Sequence, residues 1–349
     1  MDNGTVLVEL HNVMKWFPVQ QGFMASLLSR GRIDYVRAVD GVSFEIKKGE
    51  VFGLVGESGS GKTTIGRLVL RLLEPTDGQV IFDGVDLATL SDEEMRRLRS
   101  RMQIIFQDPL ASLNPRMTIG QAIAHPVEIH YRKRAQHKRK IVSEMLEQVG
   151  LTPAQQFYDK YPHQLSGGQR QRVTIARALV THPDLILADE PIAMADVSLR
   201  ALLLHLLKRL KQDLNLTYLF ITHDLATAKY ICDRIGVMYL GKIVEIGSLQ
   251  QVFSNPVHPY TRALLSAVPV PDPRARRTQA LPHGEIPSPI HPPSGCHFHP
   301  RCPIAQDICK REVPETLNVA GQPGHMASCH LRTGHYQHLD PERPPGDVA

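Results

Sequence analysis

Three short runs, almost continuously apolar, punctuate the first 250 residues. Val51-Phe52-Gly53-Leu54-Val55, Leu185-Ile186-Leu187-Ala188 and Thr217-Tyr218-Leu219-Phe220-Ile221-Thr222 have the length and character of strands buried on both faces. The first leads through a glycine-rich turn into Thr64-Ile65-Gly66-Arg67-Leu68-Val69-Leu70-Arg71-Leu72-Leu73, which continues as a helix. Residues 6–104 otherwise alternate short β-like runs with turns such as Asp77-Gly78 and Asp83-Gly84. Between Phe17 and the strand region near Val39, residues 18–37 carry Gln, Gly and Ser, which predicts an inserted surface loop with a short helix over 23–28. From about Asp108 to Pro183 the spacing turns helical, as in Ser143-Glu144-Met145-Leu146-Glu147-Gln148-Val149, closed by Gly150.

The pattern breaks after Phe253. Of the 26 prolines, 17 lie in residues 255–349, with 9 of the 17 histidines. Such a segment is not expected to continue a regular sheet or helix. It reads as a disordered tail, or as a small domain held together by something other than a large core. A chain of 349 residues also exceeds one average domain. Two are expected, over 1–254 and 255–349, with a helical subdomain at about 108–183 in the first.

An apolar content of 42% is ample for a packed core. No apolar run approaches the roughly 18 to 20 residues of a membrane span. The longest, Ala201-Leu202-Leu203-Leu204-His205-Leu206-Leu207, soon meets Lys208 and Arg209 and reads as a helix face. Met1-Asp2-Asn3-Gly4 shows no basic stretch leading into an apolar one, so no secretory signal is read. A soluble protein is expected, reaching a membrane only through other subunits. The net charge of +5 is mild, and its densest local run, residues 131–140, reads as a solvated helix face rather than a nucleic-acid site.

The turn after the first apolar run carries the chemistry. Gly56-Glu57-Ser58-Gly59-Ser60-Gly61-Lys62-Thr63 fits G-x-x-x-x-G-K-[ST]. Its glycines let backbone N–H groups wrap phosphates, and the helix N-terminus adds positive charge there. Lys62 would reach the β- and γ-phosphates, and the Thr63 hydroxyl would hold Mg²⁺, with Thr64 following. The second apolar run ends in Asp189 and Glu190, at the strand end where α/β sheets bind ligands. Asp189 is placed for Mg²⁺ and Glu190 for the attacking water. His223 follows the third run, where an imidazole can bond the γ-phosphate and orient that water.

These elements, with Gln107 in Ile105-Phe106-Gln107-Asp108-Pro109 and with Leu165-Ser166-Gly167-Gly168-Gln169, stand in the order and spacing of ABC transporter ATPase subunits, which the chain resembles over roughly 6–253. The resemblance implies an α/β, ABC-type P-loop ATPase: a RecA-like core sheet with antiparallel β and helical subdomains, here followed by a small Cys/Pro-rich C-terminal domain. It implies that Gln107 senses the γ-phosphate and Mg²⁺ beside the transmembrane partner. Ser166, Gly167, Gly168 and Gln169 would meet the ATP held by an opposing subunit. Phe17, rather than Trp16, would stack on the base, and residues 110–123 would help form the groove for the membrane subunits. Where the family has Ser-Ala-Leu-Asp, this chain has Ala193-Met194-Ala195-Asp196, which puts coupling between two ATP sites in doubt; alternatively Met194 only fills an apolar gap.

Cys296, Cys302, Cys309 and Cys329 lie in the proline-rich segment with the spacing C-x5-C-x6-C-x19-C. Disulfides are disfavoured where ATP is abundant and the cytosol reducing. Four thiolates suit zinc, with His297, His299 and His330 as substitutes, or a [4Fe–4S] cluster. Cys232 reads as an ordinary buried cysteine. Asn255-Pro256-Val257-His258-Pro259-Tyr260-Thr261-Arg262-Ala263-Leu264-Leu265, then Gly295-Cys296 and Arg301-Cys302-Pro303, resemble the C-terminal region of oligopeptide/dipeptide importer ATPases. That second resemblance implies [4Fe–4S] over Zn²⁺ on the four cysteines. It also implies a peripheral subunit on the cytoplasmic membrane face that drives uptake of di- or oligopeptides. Its partners would be a second, homologous ATPase, two transmembrane permease subunits and, indirectly, an extracytoplasmic substrate-binding protein, without nucleic acid. Nickel and oligosaccharides remain alternative cargoes. A soluble ABC ATPase acting on nucleic acid or ribosomes is disfavoured by the single cassette and the lack of a long heptad region.

Overall fold

A computed structural model describes residues 4–19, 33–131, 137–267, 284–334 and 336–341. The helix expected over 23–28 and residues 132–136 of the basic run lie outside the described residues. Strands β1 (Val6–Pro18), β2 (Tyr35–Lys47), β4 (Asp77–Phe82) and β5 (Val85–Asp86) form an antiparallel sheet in the order β2-β1-β4-β5. β1 and β2 are 13 residues each, longer than the short runs expected, and the inserted stretch ends before Tyr35 rather than at Arg37. Register shifts along β1, between Leu10 and Val13 and again after Val13, break the alternation that would have announced one long strand.

The larger sheet contains β3 (Val51–Val55), β6 (Met102–Ile105), β7 (Leu185–Asp189), β8 (Thr217–Thr222), β9 (Arg234–Tyr239), β10 (Lys242–Ser248), β11 (Leu317–Asn318) and β12 (Met326–Ala327). Its order is β11-β12-β10-β9-β3-β8-β7-β6. The three apolar runs read from the sequence become the neighbouring parallel strands β3, β8 and β7. All are buried along their length except for Asp189 at the end of β7, which is why they show no alternation. Phe44 of β2 stacks on Phe52 of β3 with centroids 4.8 Å apart, joining the two sheets through one core.

Helix α1 spans Lys62–Val69, shorter than the expected run to Leu73 because Arg71 adopts φ 46° and turns the chain. α2 (Asp92–Leu98) carries a Ser91/Glu94 capping box. The helical region comprises α3 (Pro109–Ser112), α4 (Ile119–His130), α5 (Lys138–Gln148), α6 (Gln155–Tyr158) and α7 (Gly167–Leu179). Capping boxes at Thr118/Gln121 and Ser166/Gln169 start α4 and α7, and Ile123, Leu146 and Val173 close their shared core. Lys138 pairs with Glu128 at 2.7 Å and Arg139 with Asp159 at 3.5 Å on the surface, so the described part of the basic run is a solvated face. α8 (Val197–Leu214) starts on the Asp196 carboxylate, which accepts from Leu199 N–H, and buries Leu203, Leu207 and Leu210. The chain continues through α9 (Leu225–Ile231) and α10 (Leu249–Ser254). Among the described residues, no helix is long and apolar enough to cross a membrane.

The proline-rich segment departs from expectation. It forms α11 (Pro259–Ser266) and α12 (Asp307–Arg311), and it extends the main sheet, β12 pairing antiparallel with β10. Pro259 sits in the first helical turn, where no N–H is needed, and the strands avoid proline altogether. Phe298 and Tyr260 enter the main core rather than a separate one. Glu245 of β10 anchors the segment. Its fully buried carboxylate accepts from the N–H groups of Val257 (2.9 Å) and His258 (2.8 Å) and meets His325 Nε2 at 2.8 Å. Burial lowers the pKa of His258 to about 4, so its Nδ1 stays unprotonated and accepts from Tyr260 N–H to cap α11.

Candidate functional site

The loop between β3 and α1 wraps a cleft of about 630 Å³ lined by Glu57, Ser58, Gly59, Gly61, Lys62, Thr63, Thr64, Gln107, Glu190 and His223. Glycine is required in the wrap: a Cβ on Gly56 would run into the Met238 carbonyl oxygen, and one on Gly61, at φ 106°, into that of Ala38. Lys62 is almost fully buried. Its ammonium donates to the carbonyls of Gly56 and Glu57, both at 2.8 Å, and to Ser60 Oγ at 3.3 Å. Burial lowers its pKa, against the pull of Glu190, Asp189 and Glu57. Asp189, at the end of β7, accepts from the Thr63 hydroxyl at 3.1 Å, so two of the three expected Mg²⁺ ligands, the third being Gln107, already meet. Burial raises the Asp189 pKa above its ordinary value, the condition of a carboxylate that a bound cation would ionise fully.

Glu190 follows at φ 47°, a left-handed conformation unusual for glutamate, held by its N–H bond to Ile221 O at 3.0 Å. That twist turns its carboxylate to the cleft, where Gln107 Nε2 donates to one oxygen at 3.2 Å and His223 Nδ1 lies 2.9 Å from the other. The three residues read as the acid–base and water-positioning set thus form one hydrogen-bonded group at the cleft wall. Their positions after β6, β7 and β8 explain how Glu190 meets partners 83 and 33 positions away in sequence.

Phe17 pairs across the strands with Val36, which lines the cleft, whereas Trp16 pairs with Arg37 and packs under its guanidinium at 4.8 Å. Directly opposed residues share a sheet face, so Phe17 and not Trp16 is on the cleft side. Its ring is not itself among the cleft-lining groups. Ser166 and Gly167 are exposed and lie apart from the Lys62 cleft, Gly168 is half-buried, and Gln169 caps its own helix through Ser166 N–H. Gly167 instead borders a second cavity of about 240 Å³ with Leu110, Met194 and Leu203. Met194 is 67% exposed and therefore fills no apolar gap, contrary to the second reading of the Ala193-Met194-Ala195-Asp196 departure.

Four residues of the C-terminal segment reach the nucleotide cleft; Tyr260, Leu264 and Arg301 lie in the stretches that resemble the importer-type C-terminal region, but nothing in those stretches announced a contact with the cleft. Leu264 and Pro289 line its wall. The Tyr260 oxygen accepts the Glu57 N–H at 2.9 Å, and Arg301 pairs with the Glu57 carboxylate. A tyrosine and an arginine in a proline-rich stretch carry no local signal of such contacts.

The four clustered cysteines are free thiols gathered with Ile304, Ile308 and Leu331. Burial pushes Cys296 and Cys302 up to about 12 and Cys329 up to about 11, each further raised by neighbouring cysteines. His297, His299 and His330 each turn a ring nitrogen to a backbone carbonyl, of Leu240, Cys296 and Glu312. The pocket therefore offers four sulfurs among apolar side chains. Among the described residues, no three or more His, Cys, Asp or Glu side chains are arranged to hold a single metal ion.

A parallel sheet with a phosphate loop on one strand, paired acids on a second and a histidine on a third defines an ATPase of the ABC class, and the chain belongs to the ABC transporter family. The family described as ABC transporter matches residues 39–193, and that described as Oligopeptide/dipeptide transporter, C-terminal region matches 244–309. The oligopeptide transport ATP-binding protein AppF of Bacillus subtilis (strain 168) is 48% identical over 332 residues, 94% of this chain and 98% of that protein. Among solved structures, the dimeric post-hydrolysis ATP-binding cassette MJ0796, bound to ADP and Pi, superposes with a TM-score of 0.60 at 32% identity, covering 70% of this chain and 99% of that one. The cbiO1 protein of Clostridium perfringens, part of the ABC transporter complex cbiONQ, gives 0.59 at 27% identity, with 72% and 92% covered. The chain is thus an ATP hydrolase that uses ATP and Mg²⁺ to drive transport, as a membrane-associated subunit of an ABC transporter.

Proposed function

We propose that this chain energises import of di- and oligopeptides from the cytoplasmic face of the membrane, paired with a second, homologous ATPase on two permease subunits fed by an extracytoplasmic binding protein. The observation that carries the reading is the peptide-importer-type C-terminal segment seated on the ATP cleft through Tyr260 and Arg301. ATP held by Lys62, Thr63 and the loop of one subunit would be closed over by Ser166, Gly167 and Gly168 of the other. Thr63, Asp189 and Gln107 would hold Mg²⁺, Phe17 would stack on the base, Glu190 would polarise the water and His223 would orient it. Residues 1–254 would form the motor and 255–349 the importer-specific unit, without a role on nucleic acid. Purified with its membrane subunits, the complex is expected to hydrolyse ATP faster when its binding protein carries peptide. Stimulation by nickel or an oligosaccharide, and none by peptide, would reassign the cargo.

A [4Fe–4S] cluster on Cys296, Cys302, Cys309 and Cys329 is part of the same proposal, in a structural role. Its support is the gathering of four cysteines in one apolar pocket, where burial raises the pKa of Cys296, Cys302 and Cys329, so that a cationic partner would favour their thiolates. Anaerobic preparations should contain about four irons and four sulfides per chain. Replacing Cys302 and Cys309 with Ser should remove both and open residues 290–330 to protease; one zinc and no iron would reject the cluster.

A further inference from the structure

We propose that Arg301 is a positioning residue for the ATP phosphates, supplied in cis by the C-terminal segment. Its two terminal nitrogens meet the two Glu57 carboxylate oxygens at 2.9 and 3.2 Å, a bidentate pair. The Arg301 side chain is only 8% exposed, with its guanidinium 5.7 Å from the Tyr239 ring centre and 6.0 Å from that of Phe298. Rigid aromatic neighbours fix where the fork points. Glu57, the second residue of the phosphate loop, is tied at every polar group: side chain to Arg301, N–H to Tyr260, carbonyl to the Lys62 ammonium.

The charge arithmetic makes this more than a tether. Glu57 lines the cleft alongside Glu190, with Asp189 close enough to act on the same lysine. A polyanionic triphosphate entering this cleft meets three carboxylates and one lysine. Arg301 neutralises the carboxylate on the loop itself, so ATP is not repelled by the residue whose backbone helps hold Lys62.

The test measures KM for MgATP and kcat on the full chain. Arg301→Gln is expected to raise KM about tenfold, the scale of a lost charged hydrogen-bonded partner, and to change kcat much less. Arg301→Lys should recover part of the loss. The double variant Arg301→Gln with Glu57→Gln removes the uncompensated carboxylate and should bind ATP more tightly than Arg301→Gln alone. A purely structural role predicts no such recovery. An unchanged KM, or a double variant as weak as the single, would overturn the proposal. If Arg301→Gln does not fold, Glu57→Asp answers the same question, because it keeps the charge but cannot reach both nitrogens; its KM should rise, and an unchanged value would equally overturn the proposal.

Discussion

Glu190→Gln should lower ATP turnover by about 10²- to 10³-fold while leaving ATP bound, the range expected when a positioned acid–base group is neutralised. The amide keeps the shape of the carboxylate, so the Gln107 contact can persist. It removes the negative charge that the left-handed backbone at residue 190 turns toward the cleft. A water beside that position would then lack a proton acceptor. With hydrolysis blocked and binding intact, the chain and its partner ATPase should stay closed on ATP, visible as a dimer on gel filtration with MgATP. The decisive readings are single-turnover hydrolysis and elution position together. Wild-type turnover would remove Glu190 from its assigned role and leave His223 to be tested in its place.

Lys62→Ala should weaken MgATP binding by about 100-fold or more, comparable to losing charge-assisted bonds to phosphate. The lysine does two things in the structure. It fixes the loop by bonding to the Gly56 and Glu57 carbonyls, and it provides the positive charge beside Asp189, Glu190 and Glu57. Its removal leaves the loop less constrained and the carboxylates closer to unopposed. Equilibrium binding of labelled ATP separates this from Glu190→Gln, which should bind normally. Tight MgATP binding by Lys62→Ala would count against the phosphate-loop assignment as a whole.

The parts legible in the sequence share a physical basis. β3, β7 and β8 are buried on both faces, so each declared itself as an apolar run, and their neighbouring motifs are local. The cleft chemistry followed because strand ends bring Gln107, Glu190 and His223 together. β1 and β2 were harder, since one face of each meets solvent and bulges shift the register. Their pairing nonetheless separates Phe17 from Trp16 by sheet face, which neither residue reveals alone. The docking of the C-terminal segment was out of reach. Arg301 finds Glu57 across 244 positions, and His325 finds Glu245 across 80. Proline content described what the segment lacks in regular structure, while its order comes from individual long-range bonds.

The Glu245 anchor has a bearing on how this chain can be cut and recombined. A boundary at residue 254 falls between an apparent motor and an apparent appendix. Yet the carboxylate at 245 belongs to the motor's own sheet, and its bonding partners at 257, 258 and 325 all come from beyond that boundary. Severed there, β10 would become the edge of the sheet, and Glu245 would lose these bonding partners together with the residues that cover it. A swap of C-terminal segments between importer ATPases would therefore have to carry matched chemistry on both sides of the seam.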